Sequence, residues 1–474
     1  MRFRFVHVIL AIGLFAMSSA AMAADKGAEG IWQGKLAVNG GISLRLVVHI
    51  SKTGNGLSGT MDSPDQGAKG IAIQEVLLEG NKLTLKMPEL MATYDGVMND
   101  AGNEIDGKFK QAGNELPLKL ARNDKLPDTR RPQDPVKPYP YDEEEVTYPN
   151  AKASGVTLAG TLTLPKGPGP YAAALLITGS GPQDRDEALL GHRPFLVLSD
   201  YLTRRGIAVL RVDDRGIAKS TGSFATATSA DFATDVEAGV EFLKKHSRID
   251  PKRIGLIGHS EGGLIAPMVA ANSKDIAFIV MMAGPGVNGE QILYEQGSLI
   301  VRASGAAEAV VTAQRENQKQ LFSIAKSEPD TTAAQKRFDE IAKRQYAKLT
   351  DEQKKAAGSE SSVAAQISQF NTPWFRYFLT YEPKPTLKRV KCPVLAINGE
   401  RDLQVPPKQN LPEIESALKE GGNKDFEVKE LPGLNHLFQT CTTGAPSEYS
   451  SINETISPVA LKVMGDWIVA HTRR

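Results

Sequence analysis

Residues Gly258-His259-Ser260-Glu261-Gly262 set a serine between glycines in the pattern G-x-S-x-G. The apolar run "RIGLIG" leads into it and the small-residue run "GGLIAPMVAAN" follows. In that pattern the serine occupies a strained strand-to-helix turn that holds its hydroxyl clear of the backbone. A turn needs a glycine or two, but no hydroxyl at its apex. Gly258 and Gly262 fall where a Cβ would collide with the neighbouring strand or helix. The helix after the turn aims unpaired N–H groups and its positive dipole end at the serine, favouring the charge that develops in acyl transfer. The bland reading is a Gly-rich turn with a chance serine. A lone serine is a weak nucleophile, so the catalytic reading requires a base and an acid elsewhere.

Seven histidines are present. His7 lies in an N-terminal leader, His49 in an alternating strand, His246 ends a charged helix, His192 is in a loop and His471 is near the C-terminus. His259 adjoins the serine and is expected to point away from it. His436, in "ELPGLNHLF", follows the last predicted strand, at the strand edge where open α/β sheets bind ligands. The acid should come between serine and histidine in chain order. "LAINGERDLQVPP" offers Asp402 just past a strand, with Glu400 and Asp213 as rivals. Asp402 would orient His436 and stabilise its imidazolium. An oxyanion hole needs two backbone N–H groups. Glu261 supplies one, and Ser180, or else Gly181, in "LLITGSGPQD" supplies the other.

These parts need a sheet to hold them. "YAAALLITGSG", "GIAVLRVDD", "RIGLIGHS", "IAFIVMMAG", "CPVLAINGERD" and "DFEVKELPG" read as buried parallel strands, with helices such as "ADFATDVEAGVEFLKKH" between them. The expected fold is a doubly wound, mostly parallel α/β sheet. A long helical insertion, residues 286–385, is too large for a connection and is expected to cap the strand ends. Residues 24–125 alternate in short strands broken by turn signals, which predicts a small antiparallel barrel or sandwich. The Pro- and charge-rich residues 126–150 read as a linker, and 151–474 as the α/β domain.

The chain has 474 residues, 41% apolar and 23% charged, with a formal charge of +1. That length suggests two or three domains. Neither nucleic acid nor an anionic membrane would be drawn to so balanced a charge. Residues 1–23 have Arg2 and Arg4, an apolar run and Ala21-Met22-Ala23, the three parts of an export signal. Cleavage after Ala23 would leave a periplasmic or secreted protein without a membrane span. Export would permit a bridge between Cys392 and Cys441, with two buried free thiols as the other reading.

The ordered set "ITGSGPQDRD", "VLRVDDRGIAKSTG", "GLIGHSEGG", "VLAINGERDLQVPP" and "LNHLF" resembles the α/β-hydrolase superfamily. It is most similar to exported bacterial esterases of the dienelactone-hydrolase-like and serine-aminopeptidase-like branch. The resemblance covers about Ala153 to Arg474 and leaves the N-terminal β domain outside. It implies Ser260, Asp402 and His436 as a triad. Ala218 in "DRGIAKS" departs from the glycine such proteins often carry.

Three functions are expected in order. The first is hydrolysis of small carboxylic esters through an acyl-enzyme on Ser260, with no metal or organic cofactor. The second is cleavage of a short peptide, with Asp184, Asp186 and Glu187 in "QDRDE" as candidates to hold its free amine. The third gives the β domain a ligand- or glycan-binding role, with hydrolysis secondary. Gln183, beside the oxyanion loop, is a candidate pocket residue. So are Trp374, Phe378 and Tyr381, spaced to share one helix face, although cap core is the plainer reading for these aromatics. Oligomeric state is open.

Overall fold

The computed structural model describes residues 27–38, 43–54, 56–66, 68–111, 114–123, 131–357 and 359–473. The export signal read at residues 1–23 lies outside them. Alternating apolar positions build the first unit. Its strands are β1 (Gly30–Ala37), β2 (Ser43–Thr53), β3 (Gly56–Ser63), β4 (Ala68–Glu79), β5 (Lys82–Met87), β6 (Ala92–Met98), β7 (Glu104–Gln111) and β8 (Asn114–Arg122). Each pairs antiparallel with the next and β8 returns to β1, closing a barrel. Trp32, Leu83, Tyr94, Ile105 and Leu120 are fully buried inside it. The Trp32 indole N–H donates to the Ala28 carbonyl at 2.7 Å, and the Arg122 guanidinium lies 4.4 Å from the indole centre.

The second unit is an eight-stranded sheet: β9 (Asp142–Pro149), β10 (Thr157–Leu164), β11 (Tyr171–Ile177), β12 (Ala208–Val212), β13 (Ile249–His259), β14 (Ile276–Met282), β15 (Val394–Gly399) and β16 (Phe426–Leu431). Its order is β16-β15-β14-β13-β11-β12-β10-β9. Only β10 runs against the rest. The central strands are buried on both faces and read as apolar runs for that reason.

Helices cover both faces. α1 (Pro194–Arg204) and the C-terminal helix Pro458–Thr472 share one core with the sheet. α2 (Ser229–Lys245), α3 (Gly262–Ala270) and helix Pro407–Glu420 share the other. Between β14 and β15 the chain forms α4 (Gly289–Ala303), α5 (Glu308–Ser327), α6 (Thr331–Ala347), α7 (Asp351–Ala357), α8 (Glu360–Ser368), α9 (Pro373–Thr380) and α10 (Pro383–Leu387). This insertion has its own core, in which Phe322, Phe338 and Leu379 are buried. No helix among the described residues is long and apolar enough to cross a membrane.

One boundary needs correction. The stretch 126–150 read as linker, yet Asp142–Pro149 is β9, the edge strand of the sheet. Its acid run looks solvated in sequence. In the fold Glu145 pairs with Arg185, Asp142 with Arg248, and Glu143 with Lys137. Charge on an edge strand also discourages pairing with a further chain. The segment before it is anchored too, because buried Asp134 pairs with Arg193 and the Tyr141 hydroxyl donates to Asp200 at 3.0 Å.

Candidate active site

The Ser260 turn is built as its glycines require. Ser260 has φ 51°, the left-handed conformation that costs energy for a non-glycine residue. Its N–H donates to the Met282 carbonyl at 2.8 Å, fixing the turn to the end of β14. A Cβ on Gly258 would lie 1.9 Å from the Gly262 carbonyl oxygen, and one on Gly262 would lie 2.2 Å from that of Ile177. Neither position can carry a side chain.

His436 and Asp402 meet across the loops after β16 and β15. Nδ1 of His436 is 2.8 Å from Oδ2 of Asp402, and both side chains are buried. The second Asp402 oxygen accepts the N–H groups of Gln404 and Val405 at 2.8 and 2.9 Å. The carboxylate is thereby held from behind while it orients the imidazole. The two rival acids are engaged elsewhere. Exposed Glu400 accepts the Gly433 N–H at 2.8 Å. Asp213 is buried against Arg185, with Nη2 at 2.7 Å. Among the described residues neither the Ser260 hydroxyl nor Nε2 of His436 makes a hydrogen bond. In free enzymes such a bond is often long and tightens with substrate.

The turn after β11 lies against the serine. A Cβ on Gly179 would be 3.3 Å from that of Ser260. The Gly179 N–H is already donated to Glu187 at 2.6 Å. The N–H groups of Ser180 and Glu261 have no partner among the described residues. Gly181 has φ 97°, and the main chain of Gln183 bonds to Asp214 in both directions.

Trp374 and Phe378 stack with ring centres 5.2 Å apart. Trp374 reaches the Ser260 turn directly, its indole N–H donating to Oε1 of Glu261 at 2.7 Å. The Ser229 hydroxyl donates to the same oxygen at 2.6 Å. Burial raises the Glu261 pKa, and these two bonds offset the rise only in part. Tyr381 does not join this face. α9 ends at Thr380 and Tyr381 is extended, so the helical spacing is lost. Its ring stacks on Tyr377 at 5.4 Å and its hydroxyl meets that of Thr386 at 2.6 Å.

The residues read as an amine handle are all engaged. Asp184 caps the N–H groups of Asp186 and Ala188. Asp186 pairs with Arg211, and Glu187 pairs with His259 at 2.9 Å. That last pair is what sequence reasoning missed: the His259 ring, expected only to point away from the serine, joins Glu187 to the His436 carbonyl, with Nε2 at 3.0 Å from the latter. Cys392 and Cys441 are free thiols, and burial pushes Cys392 up to about 12.

With that geometry in hand, comparison with known proteins decides the family. The model of the X-Pro dipeptidyl-peptidase (S15) family matches residues 131–422, more than half of the chain. This chain belongs to the S15 family. Ser260 and Asp402 fall inside the matched range, while His436 and the barrel strands fall outside it. This S15 chain is 27% identical to Esterase EstD of Thermotoga maritima over 306 residues, 64% of its own length. The match spans 62% of that relative, under two thirds of it. An esterase structure from Pyrococcus furiosus aligns over 72% of this chain and 96% of its own, at 19% identity and TM-score 0.43. The dienelactone hydrolase of Anabaena variabilis aligns over 71% and 100%, at 14% identity and TM-score 0.38.

Proposed function

We propose that this chain is a serine hydrolase that cleaves carboxylic esters through an acyl-enzyme on Ser260. The observation that carries the reading is the buried 2.8 Å contact between Asp402 and His436, tied by the 3.0 Å contact of His259 with the His436 carbonyl to the turn that holds Ser260 at positive φ. The Ser260 oxygen attacks the acyl carbon while Nε2 of His436 takes its proton. Asp402 keeps the imidazole in the tautomer with hydrogen on Nδ1 and stabilises the imidazolium that forms. The N–H groups of Glu261 and Ser180, or Gly181 in its place, receive the oxyanion. Collapse expels the alcohol, which takes the proton from His436. Water, deprotonated by His436, then releases the acid and restores the serine.

The family's description names a dipeptidyl-peptidase and the curated relative is named an esterase, so amide cleavage is the second reading. The engagement of Asp184, Asp186 and Glu187 with other groups favours the ester, since each already serves a bond within the fold. The packed barrel favours a structural role over a binding one for that unit. We expect nitrophenyl esters to be turned over far faster than X-Pro nitroanilides. A preference for the anilides would move the assignment to peptidase. The export signal supports a periplasmic or secreted location. Mass spectrometry of the exported protein should find Ala24 as the first residue, and an intact Met1 would refute this.

A further inference from the structure

Glu187 sits in the segment between β11 and α1, at φ 51°, with its N–H donated to Asp184 at 2.9 Å. Its Oε1 accepts two hydrogen bonds: the Gly179 N–H at 2.6 Å and Nδ1 of His259 at 2.9 Å. The other His259 nitrogen lies 3.0 Å from the His436 carbonyl oxygen. One buried side-chain pair therefore joins three segments that come together only in the folded chain. They are the turn with the Ser180 N–H, the turn with Ser260 and the loop with His436.

We propose that Glu187 and His259 are positioning residues that hold the oxyanion turn and the backbone of His436 in register. The proposal rests on the reading of Ser260 and His436 given above. Proton counting supports it. Both ring nitrogens of His259 face oxygen acceptors, and a neutral imidazole has a single N–H. Both bonds form together only if the pair carries an additional proton, as imidazolium against carboxylate or as a neutral imidazole against a protonated acid. Burial pulls the His259 pKa down, but the Glu187 charge and the bonds to Glu187 and His436 outweigh it, so the net direction is up. That favours the imidazolium. The groups facing this ring are Glu187, His436 at 4.9 Å between ring centres, Phe438 at 6.3 Å, and the charge of Asp402. A buried ion pair is weak evidence for stability, because apolar residues of the same volume often serve as well. Its directional bonds to both halves of the catalytic apparatus supply a reason for charge here.

Glu187→Gln keeps an oxygen for the Gly179 N–H but removes the charge. Neutral His259 then has one N–H to divide between the substituted amide and the His436 carbonyl. In the full-length protein, kcat on a nitrophenyl ester should fall about 10- to 100-fold, below the 10²–10³ typical of losing one oxyanion donor. KM should stay near wild type, and kcat is compared below the variant's melting transition, which should drop because one partner of a buried pair is lost. His259→Gln, whose amide can still donate to the His436 carbonyl, should keep several-fold more kcat than His259→Ala. Nitrogen-15 NMR of the histidine rings should show two N–H protons on His259 in wild type and one in Glu187→Gln, with the Gly179 amide resonance shifted. Unchanged kcat in folded Glu187→Gln, equal kcat in the two His259 variants, or one ring proton on His259 together with an ionised Glu187 carboxylate in wild type would overturn the proposal. The proton count and the amide shift decide the pair even if Ser260→Ala shows that the function reading is wrong.

Discussion

Asp402 and Glu400 share the turn after β15, and conservative amides at each position separate them. Asp402→Asn should lower kcat on the order of 10⁴, because the amide holds His436 in the wrong tautomer. Glu400→Gln should have little effect, since the exposed Glu400 carboxylate accepts the Gly433 N–H at 2.8 Å, a bond the amide oxygen can keep. Steady-state kinetics of the two variants check this directly, and the reverse ranking would reassign the acid. At this scale the sequence was informative where chemistry forces residue types into local patterns. Ser260 and Asp402 each follow an apolar strand and His436 follows the edge strand β16, so each stands in a local pattern of its own. His259 and Glu187 were not legible as a pair. They are 72 residues apart, and nothing in either local stretch announces the other.

The segment from Asp184 to His192 and the helix α9 are the elements that bear on the site. Trp374 of α9 holds the Glu261 carboxyl, so the insertion touches the residue whose N–H would receive the oxyanion. Trp374→Phe should keep the stack on Phe378 but lose the indole donor. We expect kcat to fall several-fold with the insertion still folded, whereas a purely packing role would leave kcat unchanged. Trp374→Ala, which also removes the ring, should shift acyl chain-length preference. At the other end of the segment, burial depresses His192 to about 4, with Arg131 adding to it and the Tyr449 carbonyl opposing it. A depressed histidine favours the fold above its unfolded pKa, near 6.5, and that contribution is lost as pH falls through about 4. Wild type should therefore lose on the order of 3 kcal/mol more than His192→Gln between those values, at most. Melting curves across that window would test it. The parallel strands were legible because burial on both faces leaves continuous apolar runs. β9 was not, because an edge strand rich in acid looks like a linker. Tyr381 was placed on the α9 face by spacing alone, and the helix ends before reaching it.

Across the whole molecule, the barrel and the sheet unit meet beside the site. The Leu190 N–H donates to the Asp65 carbonyl, and Asp65 grips Arg45. Leu44 packs with Leu190, Tyr449 and Leu437, the last being the residue after His436. Arg131 bonds the carbonyls of Leu190, Ser450 and Ile452 at 2.8, 2.9 and 3.1 Å. Arg131→Ala would leave these acceptors without their donor, at about 1–3 kcal/mol for each one still buried. Urea unfolding should show the loss, and kcat should drop with it while the barrel strands persist by circular dichroism. The alternation of residues 24–125 announced a closed or sandwiched β unit, but not where it would dock, because that seam is made by single residues far apart in sequence.

The central claim is that Ser260 is a nucleophile acting as one unit with His436. Labelling with a fluorophosphonate probe, followed by mass mapping of the adduct, tests it most directly. The adduct should lie on Ser260, vanish in Ser260→Ala and form far more slowly in His436→Ala. Each single variant should lose on the order of 10⁴–10⁶ in kcat, and the double variant little more than either. Full labelling of Ser260→Ala, or losses that multiply in the double variant, would contradict the account.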